Sequence, residues 1–479
     1  MLGRTWFFAS ITLAAWLSLP APAKAVAAAL PVEVETALAA AKVPREALAL
    51  VVQEVGAARP HLALQADEPV NPASLMKLVT TAAALDLLGP TWSWTTPVWL
   101  DGPVRDGVLD GHLVIKGSGD PKLTFERVWL LLRRVQQLGV RHIRGDIVLD
   151  RSAFGGPELD PAAFDGAPLR PQNVQPDALL LNFRSLLIGF VPDATRGVAT
   201  VMAEPPLAGM QVDASVPLSD GPCTNWRGAL KADFSDPAHL RFAGSYPRAC
   251  AEQQWPIASI DPRHYNERML LGLWREMGGT VTGIVRDGNA PMTPASFALT
   301  SPTLPELIRD INKFSNNVMA QQLFLTLGFV QRGDGTPDAA RAVLHHWLLS
   351  QFGASALNVV IDNGSGLSRE TRLSARLLAQ VLQAAWTSPA MPELVASLPL
   401  AGMDGTMRRA RGGFGRAHLK TGSLRDVAAV AGFVHAESGG RYVLVAIVNH
   451  PNANAARPAL DALVEWVARD ARPERRTLE

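Results

Sequence analysis

Three short motifs stand in a fixed order along the chain and constrain its fold more than any other feature. They are Ser74-Leu75-Met76-Lys77, Ser315-Asn316-Asn317 and Lys420-Thr421-Gly422. The chain has only eight lysines, so roughly 0.4 Ser-x-x-Lys and about 0.04 Lys-Thr-Gly motifs are expected by chance. Because 237 residues separate Lys77 from Ser315, a fold that unites the motifs must carry a large insertion.

The composition is that of a globular protein without a polyanionic partner. The chain has 479 residues, of which 48% are hydrophobic and 19% charged, which is enough for two or three domains. A formal net charge of +1 gives no reason to expect a nucleic acid partner. The ten histidines show no zinc-binding spacing and the two cysteines are too few for a structural zinc site, so we predict no metal and no other cofactor.

The first 25 residues have the pattern of a cleavable secretory signal. Arg4 precedes the apolar stretch Thr5–Leu19, and Ala23-Lys24-Ala25 offers small residues for cleavage. The alternative is a membrane anchor, but 15 apolar residues fall short of the ~20 that span a bilayer. Export to an oxidising compartment predicts a disulfide between Cys223 and Cys250, with two separate buried thiols as the alternative.

Both ends of the mature chain contain helix and strand signals that fit one domain. Asn71 is predicted as the N-cap of a helix that has Pro72 at its first position and ends at Leu88. Other predicted helices are Pro31–Lys42, Pro305–Asn312, Ser315–Leu327 and Pro458–Asp470, and predicted strands are Leu48–Val55, His61–Gln65, Val427–His435 and Tyr442–Asn449. Strands from both chain ends would form one antiparallel sheet covered by helices.

The middle of the chain has a different pattern, with short strands, turn clusters and helices near Phe125–Leu138 and Pro262–Met277. We therefore predict a domain from residues 26–90 and 291–479, and an inserted second domain from residues 91–170 and 251–290. A nested β-rich third domain, residues 171–250, would contain both cysteines.

The first motif has the residue types of a nucleophile and its base. In the first turn of a helix, the N–H of Ser74 would be free and the helix dipole would favour an oxyanion. Lys77 follows three residues later and would lie over the same face, within reach of the serine hydroxyl. A lysine acts as a base when burial and a nearby positive charge lower its pKa, and Lys420 is a candidate for that charge. The alternative is a serine at a helix start with a surface lysine one turn later.

The other two motifs have matching interpretations. Ser315 would shuttle a proton to the leaving amine and Asn317 would orient the substrate and Lys77, although both residues also favour helix caps. Lys420 opens a strand on which Gly422 would allow another backbone or a ligand to approach closely. The N–H of Ser423 would complete an oxyanion hole with that of Ser74. The hydroxyls of Thr421 and Ser423 would receive a terminal carboxylate; a surface strand with a glycine bulge is the alternative.

These motifs resemble those of the class C low-molecular-mass penicillin-binding proteins, the penicillin-binding protein 4 family of D-alanyl-D-alanine carboxypeptidases/endopeptidases (serine peptidase family S13). Segments around them are also similar to the family: Asn71–Thr81, Gly117–Pro121, Asp362–Ser368 and Gly402–Thr406. The resemblance implies an α+β multidomain fold, in which a β-lactamase/transpeptidase-like domain with a five-stranded antiparallel sheet carries an inserted domain II and a nested domain III.

The resemblance also implies a periplasmic enzyme that cleaves the peptide bond after a D-alanine in peptidoglycan. Its substrates would be muropeptides ending in D-Ala-D-Ala or cross-linked through D-Ala, and β-lactams would be covalent inhibitors. The family roles fall on Ser74 as nucleophile, Lys77 as base, and Ser315 with Asn317 as shuttle and positioner. A homodimer and a weak peripheral membrane association are further expectations, the latter through Arg472, Arg475 and Arg476.

Two other functions stay open at this point. A β-lactamase would need a group that activates water for rapid deacylation, and Glu370 lies 53 residues after Asn317 without the expected neighbouring asparagine. A peptidoglycan-binding or sensor protein would keep the fold and bind penicillin without turnover. The intact motifs argue against the second alternative, and the large insertion argues against the first.

Overall fold

The computed structural model describes residues 29–157 and 160–470. The predicted signal segment and the three arginines near the end of the chain lie outside the described residues. Within the described ranges, no helix combines the length and the apolar character that crossing a bilayer requires.

The N-terminal part supplies two helices and two strands. They are α1 (Val32–Ala40), β1 (Leu48–Glu54), β2 (Leu62–Leu64) and α2 (Met76–Leu88), with a 3-10 turn at Ala73–Leu75 before α2. The predicted elements are therefore present, but the helix predicted from Pro72 begins at Met76.

The segment after α2 forms separate sheets. Its helices are α3 (Phe125–Gln137), α4 (Trp226–Ala229) and α5 (Tyr265–Glu276). Its strands are β3 (Thr95–Asp101), β4 (Val104–Arg105), β5 (Val108–Leu109), β6 (His112–Lys116), β7 (His142–Ile143), β8 (Ile147–Asp150), β9 (Ser185–Asp193), β10 (Val198–Glu204), β11 (Gln211–Val212), β12 (Ser215–Ser219), β13 (Ala232–Asp233), β14 (His239–Phe242), β15 (Tyr246–Pro247), β16 (Gln253–Ala258), β17 (Thr280–Val281), β18 (Val285–Asp287) and β19 (Phe297–Thr300).

These strands pair in four groups, whose orders are β18-β8-β6-β3-β19, β17-β7-β5-β4, β15-β12-β10-β9-β16 and β11-β14-β13. A disulfide joins Cys223 to Cys250, whose Cα atoms are 4.8 Å apart, as the sequence predicts. The boundaries of the second and third domains given above stay a prediction.

The C-terminal part completes the first sheet. It contains α6 (Leu304–Lys313), α7 (Asn317–Arg332), α8 (Pro337–Phe352), α9 (Ala375–Thr387), α10 (Met391–Ser397), β20 (Ala417–Leu424), β21 (Val427–His435), β22 (Arg441–Asn449) and α11 (Arg457–Ala468). Strands from both chain ends form one five-stranded antiparallel sheet in the order β2-β1-β22-β21-β20. The predicted sheet is present, and β20 with the third motif lies at its edge.

The sheet is buried on both faces, which explains its long apolar strands. In β1, Ala49 and Val51 pack into the core that contains α2 and α7. Leu48, Leu50 and Val52 point the other way and pack with α1 and α11. Side chains alternate between the faces of a strand, so a strand covered on both sides becomes a continuous apolar run.

The inserted segment leaves and re-enters the first domain at one place. Its first strand, β3, and its last, β19, pair antiparallel. Just before and after them, Ser301 N–H donates to Trp94 O at 2.8 Å and Trp94 N–H donates to Ser301 Oγ at 2.9 Å. The insertion therefore leaves α2 and α6, which flank it, packed in one core.

Candidate active site

Ser74 lies in the 3-10 turn immediately before α2, so the predicted N-cap is wrong. The Oδ1 of Asn71 accepts from the N–H of Ala73 at 2.9 Å, and Ala73 has a left-handed φ of +46°. The chain therefore turns sharply before it becomes helical. Asn449 on β22 holds this turn, because Asn71 N–H donates to its Oδ1 at 2.8 Å and its Nδ2 donates to Asn71 O at 3.0 Å.

Lys77 is completely buried, and its Nζ lies 3.0 Å from the Oγ of Ser74. The Nζ donates to Asn317 Oδ1 and to the carbonyl oxygen of Ser365, each at 2.6 Å. Burial, and then the charge of Lys420, hold the pKa of Lys77 well below its usual value. A neutral amine has two N–H groups and one lone pair; with both N–H groups taken by oxygens, the lone pair is left for the Ser74 hydroxyl.

Lys420 is the second buried lysine of the site. Its Nζ donates to Ser315 Oγ at 3.0 Å and to Thr421 O at 2.8 Å. Burial lowers the pKa of Lys420 to about 7. The predicted helix start at Ser315 is wrong, because Ser315 has a φ of +57° and α7 begins at Asn317. Asn316 is the N-cap, and its side chain accepts from Met319 N–H at 3.0 Å.

Within the described ranges, no backbone hydrogen bond continues the outer edge of β20 beyond Leu419. Leu419 N–H donates outward to Pro399 O at 2.9 Å, on the side away from β21. Backbone groups of alternate residues point the same way in an antiparallel strand, so Thr421 and Ser423 also direct their N–H and C=O groups outward. The Thr421 hydroxyl donates to Thr406 Oγ1 at 2.8 Å.

Gly422 lies against the turn that carries the nucleophile. A Cβ at this position would be 2.8 Å from Pro72 O and 3.3 Å from Ala73 Cβ. The absence of a side chain at Gly422 therefore lets β20 come close to the turn of Ser74, while the predicted approach of a substrate peptide to this glycine stays a prediction.

The structure thus brings the three motifs together where α2, α7 and β20 meet. The predicted site residues placed there are Ser74, Lys77, Ser315, Asn317, Lys420, Thr421, Gly422 and Ser423. In the described part of the chain, no three His, Cys, Asp or Glu side chains are grouped in a way that could hold a metal ion.

Two supports of this site were not predicted from the sequence. The Oδ1 of Asn363 accepts from the N–H groups of Ser365 at 3.0 Å and Gly366 at 3.1 Å, which fixes the loop whose carbonyl meets Lys77. The second support is an ion pair of 2.5 Å between Lys313 Nζ and Asp404 Oδ2, which ties the residues before Ser315 to the loop that contains Thr406. The segments around Asn363 and Asp404 were noted as family signatures, but a backbone oxygen gives no signal of residue type.

Comparison with known proteins shows the family to which this chain is similar. The profile of the D-Ala-D-Ala carboxypeptidase 3 (S13) family matches residues 30–470. A D-alanyl-D-alanine carboxypeptidase of Actinomadura sp. (strain R39) is 30% identical over 431 residues, which are 84% of this chain and 77% of the relative. The D-alanyl-D-alanine carboxypeptidase DacB of Haemophilus influenzae is 25% identical over 387 residues, 79% of this chain and 80% of the relative.

A solved structure confirms the multidomain fold. The crystal structure of penicillin binding protein 4 (dacB) from Haemophilus influenzae superposes with a TM-score of 0.72 at 21% identity, over 91% of this chain and 100% of that one. The predicted transpeptidase-like α+β architecture and the resemblance to penicillin-binding protein 4 are therefore both confirmed. The chain belongs to the D-Ala-D-Ala carboxypeptidase 3 (S13) family.

Proposed function

We propose that this protein is a serine-type D-alanyl-D-alanine carboxypeptidase and D,D-endopeptidase that acts on peptidoglycan stem peptides through an acyl-enzyme on Ser74. One observation carries the proposal: the Nζ of Lys77 is 3.0 Å from Ser74 Oγ and donates to two other oxygens. This geometry supplies the activated nucleophile that acyl transfer requires. Family membership supports the carboxypeptidase activity, and the endopeptidase activity is our extension of it.

In the acylation step, Ser74 Oγ attacks the carbonyl carbon of the penultimate D-alanine and Lys77 takes the hydroxyl proton. The N–H groups of Ser74 and Ser423 bind the oxyanion. When the C–N bond breaks, the proton that Lys77 took passes through Ser315 to the leaving amine, so Lys77 is neutral again for deacylation. A water molecule then hydrolyses the ester and restores the serine, so the cycle needs no cofactor.

The open edge of β20 supports binding of an extended peptide. The outward N–H and C=O groups of Thr421 and Ser423 would pair with a substrate strand, as in β-augmentation. Asn317 would hold both Lys77 and the substrate backbone, while Lys420 and Thr421 would lie near the substrate carboxylate. A β-lactam presents a similar amide and carboxylate, and would be trapped as a stable ester on Ser74.

This function requires export, and the sequence signal for it lies outside the described residues. We place the enzyme in the periplasm, where the disulfide is stable. A homodimer and a weak association with the membrane surface stay predictions.

The test is labelling with a fluorescent penicillin, followed by an assay of D-alanine release from a pentapeptide muropeptide and of cleavage of a cross-linked dimer. Wild type should label and cleave both substrates, and Ser74→Ala should do neither. Ser350→Ala, on an exposed position of α8, is the matched control and should behave like wild type. Failure of wild type to label would refute the acyl-enzyme, and rapid loss of the label would indicate a β-lactamase.

A further inference from the structure

Arg457, the first residue of α11, reaches the strand that carries the third motif. Its Nη2 donates to Ser423 Oγ at 2.5 Å and to Asn454 Oδ1 at 3.1 Å. The Nδ2 of Asn454 donates in turn to Leu424 O at 3.1 Å and Arg425 O at 2.9 Å. The guanidinium of Arg457 is therefore held beside the end of β20. It contacts the strand through the hydroxyl of Ser423, and indirectly through the side-chain amide of Asn454.

Among the described residues, no carboxylate lies within ion-pair distance of the Arg457 guanidinium. Ser423 and Asn454, which accept its hydrogen bonds, are both neutral. Asp461 lies one turn further along; burial raises the pKa of this carboxyl, and a backbone hydrogen bond from Arg411 with the charges of Arg411 and Arg457 lowers it in part. A cation at the first position of a helix is also disfavoured by the helix dipole. Asp461 offsets part of this cost without forming an ion pair, so the guanidinium keeps N–H groups for a further acceptor.

The position of Arg457 fits one particular group of the substrate. If the scissile carbonyl lies between the N–H groups of Ser74 and Ser423, the next residue of the substrate lies beside the open edge of β20. That residue is the leaving D-amino acid, and its α-carboxylate carbon is two bonds from the leaving nitrogen, through Cα. Lys420 is a poor sole partner for this carboxylate, because its Nζ already donates to Ser315 and Thr421. An arginine keeps its charge at every working pH and binds carboxylates with two parallel hydrogen bonds.

We propose that Arg457 is a specificity-determining residue that binds the free α-carboxylate next to the scissile bond, together with the Ser423 hydroxyl. This inference rests on the proposed function and names a residue and a chemical requirement within it. The enzyme would require a substrate with a free carboxylate at this position, and would discriminate against the same peptide when that carboxylate is blocked as an amide.

The test compares kcat/KM for a peptide ending in D-Ala-D-Ala with that for the same peptide ending in D-Ala-D-alaninamide. Wild type should prefer the acid. Arg457→Gln should lower kcat/KM for the acid by about 10- to 100-fold, the usual effect of losing a hydrogen bond to a charged group, and leave the amide nearly unchanged. Arg457→Lys should retain part of the preference. Arg469→Gln, at the other end of α11 with a side chain 71% exposed, is the charge-matched control and should act like wild type.

Two results would overturn the inference. Equal loss on both peptides in a folded Arg457→Gln protein would show that the arginine only supports Ser423. Equal cleavage of acid and amide by wild type would show that no carboxylate is recognised, although the proposed function would stand because both peptides were cleaved. Thermal melting establishes folding, and Arg457→Lys provides the same comparison if the glutamine variant does not fold. Absence of a penicillin adduct in wild type would instead refute the proposed function.

Discussion

Replacing Lys420 with methionine should make the protein more stable at neutral pH while it abolishes activity. Burial lowers the pKa of Lys420 from 10.5 to about 7 in the folded protein. Between these values the unfolded chain binds one proton more than the folded chain, so wild-type stability rises with pH across that window and is lost as pH falls to about 7. At about 1.4 kcal/mol per pH unit, keeping the charged lysine buried costs about 5 kcal/mol below pH 7.

Methionine carries no charge, so the variant avoids the cost of burying one. It also lacks the two hydrogen bonds that Lys420 makes. The bonds to Ser315 Oγ and Thr421 O contribute about 1 kcal/mol each. Methionine is unbranched and flexible and fills a similar volume. Lys420→Met should therefore be more stable than wild type by about 3 kcal/mol near pH 6.5, and less stable by about 2 kcal/mol above pH 10.5.

The assay is urea unfolding of both proteins side by side from pH 6.5 to pH 10, at constant ionic strength. The advantage of Lys420→Met in free energy of unfolding should fall by about 1.4 kcal/mol per pH unit above pH 7 and change sign at about pH 9. Lys231→Met removes an exposed lysine and should show no such slope. A Lys420→Met protein that is less stable than wild type at pH 6.5, or a difference that does not change with pH, would refute the reasoning.

Three further predictions follow from other contacts of the site and the fold. Asn317→Asp would place a carboxylate 2.6 Å from the Nζ of Lys77 and raise the pKa of that lysine, so penicillin labelling should fall at neutral pH and recover as pH rises; a loss equal at every pH would contradict this. Changing both Cys223 and Cys250 to serine opens a loop whose ends are 27 positions apart and should lower stability by about 3.5 kcal/mol in the chain-entropy model, with labelling retained; melting that does not respond to the change would disagree. Gly422→Val should slow labelling by about 100-fold through displacement of the nucleophile turn, and labelling at the wild-type rate would show that the strand can move away.

The sheet could be predicted well from the sequence because its strands are buried on both faces. The run Val427–His435 has the same bounds in the sequence analysis and in the structure. The strand predicted as Leu48–Val55 ends one residue earlier, at Glu54. A long apolar run can bury its side chains only in the core. The local sequence pattern therefore predicts the same strand that tertiary packing stabilises.

The details of the site that escaped prediction depend on contacts between distant residues. The left-handed conformation of Ala73 belongs to a turn that Asn449 holds from 378 residues away through Asn71, so no local pattern could place the start of α2. Ser315 is likewise turned out of the helical conformation while its hydroxyl binds Lys420. Arg457 lies in an unremarkable helix start, and only the fold shows that it meets Ser423.

The hydrogen-bonded pair of Trp94 and Ser301 has a consequence for how much the inserted segment can change in length. The 206 residues from Thr95 to Thr300 begin and end at adjacent points of the first domain. In terms of chain entropy, the whole insertion therefore acts on that domain as a single closed loop. Doubling the length of such a loop costs only about 0.6 kcal/mol in chain entropy. Residues can therefore be gained or lost in exposed loops of the insertion at little cost, whereas the segment around Asp177, which hydrogen-bonds Gln322 of α7, stays tied to the first domain.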